Sequence, residues 1–247
     1  MSIAIITGAS SGLGQAYVTA TTRVFPEIEE IWVVARRQER LQQLAAEFPD
    51  KHIVPVVADL SHTADIQKIQ DKLADEKPQI ALLVGAAGIA GGGAFAEESM
   101  EHIQQVINLN CLGTTLLTRA CMPYVQEGGT ILLVSSTSAF VPNTNLVVYS
   151  ASKSYVTAFS LGIREELKPR RINVCSVHPG VMHTEMASTF NEKQNRLPAV
   201  DVPKHAERSL RAAKRGADSY TTGWVYRFYR LLAKILPNKW VVRFVGL

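Results

Sequence analysis

Tyr149 and Lys153 stand four residues apart in the stretch YSASKSYVTAF, 149–159. If that stretch is helical, the two side chains stack on one face with Cβ atoms about 5–6 Å apart. A free phenol titrates near about 10, too high to serve as a base at neutral pH. A neighbouring ammonium stabilises the phenolate and lowers that value. Reaching about 7 takes about 4 kcal/mol of differential interaction, more than one solvent-exposed Lys supplies. A Lys in a dry pocket makes the pair a general acid–base working near neutrality. Upstream, in ILLVSSTSAF, Ser135 and Ser136 follow an apolar run, and the Ser136 hydroxyl is suited to hydrogen-bond a carbonyl oxygen. Each of these residues alone is more commonly a helix cap or a surface group. Their order along one edge of a sheet is what carries weight.

A second set of residues suits a phosphate. TGASSGLGQA, 7–16, carries Gly8, Gly12 and Gly14 directly after an apolar run. Small residues let a backbone approach a pyrophosphate, and the following helix offers free N–H groups and a positive dipole end. The alternative is an ordinary Gly-rich turn from strand to helix. VVARRQERL has no acid at its strand tip, where an acid would hold a ribose 2′-hydroxyl. It has Arg36 and Arg37 instead. A guanidinium takes a phosphate bidentately and stacks on adenine. Ser10 adds a hydroxyl, so the pattern favours NADP over NAD, with Arg37 the more solvated of the two arginines. Asp59, in VVADL, either accepts from the adenine amino group or caps the next helix.

The elements that must position these residues are legible. Apolar, β-branched runs recur at 3–7, 31–35, 53–58, 80–84, 130–135 and 172–177, and DSYTTGW, 218–224, adds a short last strand. Apolar character on both faces marks strands of a parallel sheet covered on both sides. Between them, Leu41, Leu44, Ala45 and Phe48 keep helical spacing, as do Val156, Phe159, Ser160 and Ile163. In DVPKHAERSLRAAKRG, 201–216, Pro203 near the start and Gly216 at the end are helix punctuation. Strand–helix alternation with short connections predicts an α/β, doubly wound parallel sheet of about seven strands with helices on both faces. One domain, 1–247, is expected, since no linker or low-complexity stretch interrupts the chain.

At these residues the chain resembles the short-chain dehydrogenase/reductase family, with its Rossmann-type fold. TGASSGLG (7–14) is similar to the family's TGxxxGxG, YSASK (149–153) to YxxxK, PGVMHT (179–184) to PGxxxT, and NCLG (110–113) to its Asn-x-x-Gly. Ser136 lies thirteen residues before Tyr149, the family's spacing. The matches span 3–185. The resemblance implies that Tyr149 exchanges a proton with a carbonyl oxygen as hydride moves to or from the nicotinamide. Ser136 would polarise that oxygen, and Lys153 would lower the Tyr149 pKa and bind the nicotinamide ribose. Asn110 would hold a relay water, and Thr184 with the backbone around Val181 would bind the carboxamide. The implied NADP(H) cradle is Gly8, Ser10, Ser11, Gly12, Leu13, Gly14, Arg36, Arg37, Asp59, Leu60, Ala86, Ala87, Gly88, Tyr149, Lys153, Pro179, Gly180, Val181 and Thr184.

The pattern departs in two places. The family's NAAG reads GAAG, with Gly85 for an Asn that braces the pocket, and GIAGGGAF follows. At the C-terminus, 219–247 forms a short strand and a basic amphipathic extension. Trp224, Phe228, Leu231, Leu232 and Ile235 share one helical face, while Arg227, Arg230 and Lys234 share another. Such a helix packs on its own core, caps the pocket, makes a dimer contact or rests on an anionic membrane.

Composition narrows the class. Hydrophobic residues make up 47% and charged residues 19% of 247 residues, as in a compact soluble protein with a large core. Net charge is only +4 and no nucleic-acid motif is present, so nucleic acid is not an expected partner. Three scattered cysteines read as reduced core thiols in a cytoplasmic protein. The N-terminal MSIAIITG has no signal-peptide pattern. His178, His183 and His205 lack metal spacing, so no metal is expected. His183 and Glu185, next to Thr184, either touch substrate or, as is more common for such residues, lie on the surface of a flap.

The expected activity is NADP(H)-dependent reduction of an apolar ketone or oxidation of a secondary alcohol, steroid-like or aromatic, by a homodimer. The pocket would be built from 138–148 and 181–200, lined by Phe140, Val141, Leu146, Met182 and Met186, without an Arg or Lys in 138–148 to grip a carboxylate. The alternatives are 3-oxoacyl-thioester reduction and a non-catalytic NADP(H)-binding sensor or partner protein.

Overall fold

Each apolar run becomes a strand: β1 (Ser2–Thr7), β2 (Glu30–Ala35), β3 (His52–Val57), β4 (Gln79–Gly85), β5 (Val125–Val134), β6 (Asn173–His178) and the short β7 (Ser219–Thr221). The computed structural model describes residues 2–185 and 198–245, with Asn238 and 243–245 by backbone only. The strands form one parallel sheet in the order β3-β2-β1-β4-β5-β6-β7. The order reverses between β1 and β4, which opens a crevice at their carboxyl ends.

Alternate residues of the central strands feed two cores. On one face Ala4, Ile6, Val33, Leu82 and Val84 pack against α1 (Gly12–Val24), α2 (Gln38–Ala46) and α7 (Val202–Lys214) through Tyr17, Val18, Leu44 and Leu210. On the other, Ile3, Ile5, Trp32, Leu83 and Ile131 meet α3 (Thr63–Glu76), α5 (Thr114–Cys121) and α6 (Val147–Leu167) through Ile69, Leu73, Leu117 and Ile163. Burying each such aliphatic side chain contributes about 1.5–3 kcal/mol before entropy is charged against it.

The expectation of strands buried on both sides fails at β3. Only Ile53 of its six residues is buried. It is an edge strand, and Pro55, which has no N–H to donate, is tolerated there for that reason. The start of β5 lies five residues earlier than the apolar run predicts, because a register shift opposite Ile80 lets Val125 join the ladder ahead of Thr130. Asp201 caps α7 by accepting from the Lys204 N–H at 2.9 Å, and Gly216 ends it with φ +86°. Past β7 the chain adds α8 (Gly223–Ile235) and α9 (Asn238–Val245).

Candidate active site

Three elements converge at the carboxyl ends of β4, β5 and β6. The first is a helix with a wide turn: α4 (Met100–Ile107) runs through a π-helical segment, Asn108–Gly113, into α5. Such segments are rare and concentrate at functional sites. Gly113 makes this one possible, since a Cβ there would stand 2.3 Å from the Leu60 carbonyl oxygen. Asn110, inside the π turn and fully buried, spends its amide on protein. Its Oδ1 accepts from Ile89 N–H at 3.0 Å, and its Nδ2 donates to the Ile89 carbonyl at 2.9 Å and Ser152 Oγ at 3.0 Å. Ser152 in turn donates to the Tyr149 carbonyl at 2.7 Å. Asn110 thus ties the loop after β4 to the turn of α6 that carries Tyr149.

The second and third elements bring Ser136 and the Tyr149–Lys153 pair together. Ser136 caps a short 3₁₀ turn (Thr137–Ala139), accepting from the Ser138 N–H at 3.0 Å, and its hydroxyl is hydrogen-bonded to Tyr149. Lys153, 3% exposed, lies in α6 one turn after Tyr149, with Nζ 5.8 Å from the Tyr149 ring centre and donating to the Val134 carbonyl at 3.0 Å. Ser135 fixes the helix from below, donating to the Lys153 carbonyl at 2.7 Å. Gly88 faces this pair: a Cβ there would stand 3.1 Å from Asn110 Oδ1 and 3.2 Å from Lys153 Nζ.

The electrostatics differ from the simple Tyr–Lys picture. Burial raises the Tyr149 phenol above its ordinary value, and the Ser136 hydrogen bond only partly offsets that. Burial lowers Lys153 to about 8. Desolvation dominates both groups, and the ammonium spends a hydrogen bond on the Val134 carbonyl. With protein groups alone, Tyr149 holds its proton at neutral pH, the state a proton donor needs.

At the nucleotide end the backbone fits a pyrophosphate. Gly8 and Gly12 have φ +68° and +54°, and a Cβ on Gly14 would meet the Gly8 carbonyl oxygen at 2.1 Å. The turn is pressed onto β4, where Thr7 Oγ1 accepts from the N–H groups of Ala86 and Ala87, both at 3.0 Å. This hydroxyl, not singled out in the sequence, braces the strand end. Gly85 carries no brace because the volume is filled: a Cβ there would stand 2.7 Å from Leu133 Cδ2. Leu13 and Leu60 are buried core residues on opposite faces of the sheet.

The two arginines exchange their expected parts. Arg36 pairs with Asp59 at 3.5 Å. Burial raises the Asp59 carboxyl, but hydrogen bonds from Ser61, then Arg36, outweigh it and hold it low. Asp59 thereby braces its own turn, accepting from the Ser61 N–H at 2.9 Å. Arg37, read as the more solvated, reaches across the Gly-rich turn. It donates to Ser10 Oγ at 3.0 Å, Ser11 Oγ at 2.8 Å and Glu185 Oε2 at 2.8 Å. Arg40 also binds Glu185. Hydrogen bonds from Arg40 and then Arg37 hold the Glu185 carboxyl down to about 2.

After β6 the chain is pinned by a residue that the sequence pattern did not mark. Pro179 accepts from the Thr137 N–H at 3.0 Å. Tyr226 of α8 accepts from the Val181 N–H at 3.0 Å and donates to the Pro198 carbonyl at 2.9 Å. Gly180 is obligatory here, since its Cβ would stand 2.1 Å from the Tyr226 ring. The Val181 carbonyl accepts from Val200 N–H at 2.7 Å, so both backbone groups expected to meet a carboxamide have protein partners. Thr184 lies over Gly12: a Cβ on that glycine would stand 3.3 Å from the Thr184 side chain.

Of the expected pocket lining, Phe140 packs on His178 with the rings tilted by 34° and their centres 4.8 Å apart, and Val141 is buried. Met182 packs into the core of the α1 face, and Met186 lies outside the described residues. Helix α8 closes this end, with Tyr229 6.3 Å and the Arg230 guanidinium 5.4 Å from the Phe140 ring. A cation therefore arrives from α8 beside a segment that carries none. His178 and His205 sit apart in separate aromatic contacts, and no group of three or more His, Cys, Asp or Glu able to hold a metal exists among the described residues.

This geometry matches known proteins. The family model described as short chain dehydrogenase matches residues 2–195. A very-long-chain 3-oxoacyl-CoA reductase of Anas platyrhynchos is 31% identical over 254 residues, 97% of this chain and 77% of the relative. An NADP-dependent 3-hydroxy acid dehydrogenase of Shigella flexneri is 32% identical over 183 residues, 73% of this chain and 72% of the relative. A short-chain dehydrogenase from Sphingobium yanoikuyae, solved in complex with NADPH, superposes with a TM-score of 0.82 at 28% identity and covers 96% of each chain. The chain belongs to the short-chain dehydrogenase family and is an oxidoreductase.

Proposed function

We propose that the chain is an NADP(H)-dependent carbonyl reductase and alcohol dehydrogenase acting on an apolar ketone or its secondary alcohol. One observation carries the reading: a buried phenol, Tyr149, hydrogen-bonded to Ser136, with the ammonium of Lys153 on the next turn of the same helix. The glycine cradle at Gly8, Gly12 and Gly14, into which no side chain fits, is suited to the pyrophosphate of a dinucleotide. Arg37, which reaches Ser10 and Ser11, and Arg40 beside it, suit a 2′-phosphate; Arg36 is the lesser contact because it turns to Asp59 instead of the Gly-rich turn. When bound, NADPH supplies the hydride.

The protein's share of the chemistry then follows. Ser136 donates to the carbonyl oxygen and polarises it, and Tyr149 delivers its phenolic proton to that oxygen as negative charge develops there. Lys153 stabilises the phenolate left behind and holds the nicotinamide ribose. Asn110 keeps the Tyr149 turn registered against the loop at Ile89 and lends its π turn to a relay water. Thr184 and the Val181 backbone receive the carboxamide once Tyr226 yields the Val181 N–H. Arg37 and Arg40, which hold the Glu185 carboxylate, would hold a 2′-phosphate in its place.

The apolar-substrate reading rests on Phe140 and Val141. A 3-oxoacyl thioester is the second reading, and one observation favours it: the 3-oxoacyl-CoA reductase relative aligns with 97% of this chain. The test is oxidation of NADPH and of NADH, followed at the nicotinamide absorbance, against steroid, aromatic diketone, 3-oxoacyl-thioester and small aldehyde substrates. Turnover with NADPH on apolar ketones is the expected result. Turnover confined to acyl thioesters selects the second reading, and preference for NADH rejects the 2′-phosphate assignment.

A further inference from the structure

Helix α8 has two apolar faces, which a surface helix ordinarily does not. The inner face is accounted for: Tyr226 is buried against Gly180, and Tyr229 lies near Phe140. The outer face is not. Trp224, Phe228, Leu231 and Ile235 recur at i, i+4, i+7 and i+11, so they form one stripe, and all four are exposed, Trp224 by 79% and Ile235 by 68%. Trp240 of α9 adds another indole, 67% exposed. Single exposed apolar residues are ordinary; a continuous aromatic and aliphatic stripe marks an interaction surface.

The charges that α8 and α9 themselves carry are of one sign. Residues 219–247 contain Arg227, Arg230, Lys234, Lys239 and Arg243 and no Asp or Glu. Arg227, Lys234 and Lys239 are exposed beside the stripe, whereas Arg230 turns inward to Ser219 and Thr221. A second copy docking through this face would set the cations of α8 and α9 against one another, and the nearest acid, Asp201 at the Trp224 end, is already paired with Lys204. A surface of negative charge with an apolar interior complements both features at once.

We propose that the outer face of α8, with α9, docks on an anionic lipid bilayer. The helices lie in the interface plane, since no described helix is long and apolar enough to cross a membrane. Indoles suit the boundary, where one side of the ring is apolar and the N–H stays wet. The same helix closes the Phe140 end of the site, so docking brings that end within about 10 Å, one helix diameter, of lipid.

The test uses the full chain and its own tryptophans. Trp32 is fully buried, so emission changes on adding vesicles report Trp224 and Trp240. Phosphatidylcholine vesicles with phosphatidylglycerol are expected to shift the emission to the blue and to co-sediment the protein, and high salt to release it. Vesicles of phosphatidylcholine alone leave both signals unchanged. The exposed-site variants Trp224→Ser/Ile235→Ser and Lys234→Glu/Lys239→Glu each lower partitioning by at least about tenfold with the thermal midpoint unchanged. Absence of binding to either vesicle, equal binding to both, or full binding by both variants overturns the proposal. So does a wild-type dimer, blind to vesicles, that Trp224→Ser/Ile235→Ser splits into monomers, which assigns the face to a second copy.

Discussion

The edge that carries Tyr149 and the segment that faces it, from Pro179 to Glu185 with α8, are built differently. At the catalytic edge the partners are close in sequence or fixed by the sheet. Tyr149 and Lys153 share one helix, and Ser135, Ser152 and Asn110 anchor that helix through buried hydrogen bonds. The facing segment is held by a few contacts between distant parts of the chain: Val181 to Tyr226, Glu185 to Arg37 and Arg40. Two of those contacts occupy groups that the proposed cofactor needs. On the proposed reading, the buried edge is organised in advance for proton transfer, and the facing segment exchanges protein partners for the cofactor.

Perturbations of the two regions separate them. The largest effect belongs to Tyr149→Phe, which removes the exchangeable proton while keeping the ring; kcat falls on the order of a thousandfold and NADPH affinity stays within about twofold. Retained turnover would reassign the donor. Next is Arg37→Ala, expected to raise the NADPH dissociation constant tenfold to a hundredfold, roughly the worth of lost charge-assisted hydrogen bonds, with Arg36→Ala costing less. Fluorescence titration with NADPH and NADH checks both, and equal losses for the two nucleotides would remove the 2′-phosphate contact.

The pH profile probes the buried edge. Lys153 is protonated below about 8 and neutral above it. Its charge stabilises the phenolate formed in reduction, so kcat/KM for reduction is level through neutral pH and declines as pH rises through about 8. A profile that climbs over that range would contradict the part assigned to the ammonium. The smallest effect is expected from Glu185→Gln. It releases two exposed ion pairs, so NADPH binds about two- to fivefold tighter while NADH is unaffected. Weaker NADPH binding would mean that Glu185 supports the arginines and does not compete with phosphate.

The same contrast explains what could be read from the sequence. The β-branched runs and helical spacing specify the sheet, and Tyr149 with Lys153 is a pattern four residues long. Ser136 and the glycine turn follow strands whose ends all lie on one edge. Tyr226 left no such trace, because its bonds to Val181 and Pro198 join segments with no fixed spacing. The exchange between Arg36 and Arg37 turns on which side chain crosses to the Gly-rich turn and which meets Asp59. The brace supplied by Thr7 and the space filled by Leu133 next to Gly85 depend on strand register, which periodicity does not report. Edge strand β3 looked buried because its residues are apolar, although only Ile53 is covered.

The most direct measurement follows a label. NADPH carrying deuterium at C4 of the nicotinamide is mixed with the wild-type protein and the ketone panel, and the products are read by mass spectrometry. Deuterium at the carbinol carbon of an apolar alcohol, absent with Tyr149→Phe, is the predicted result. NADPH that binds but delivers no label to any carbonyl would contradict the proposed activity.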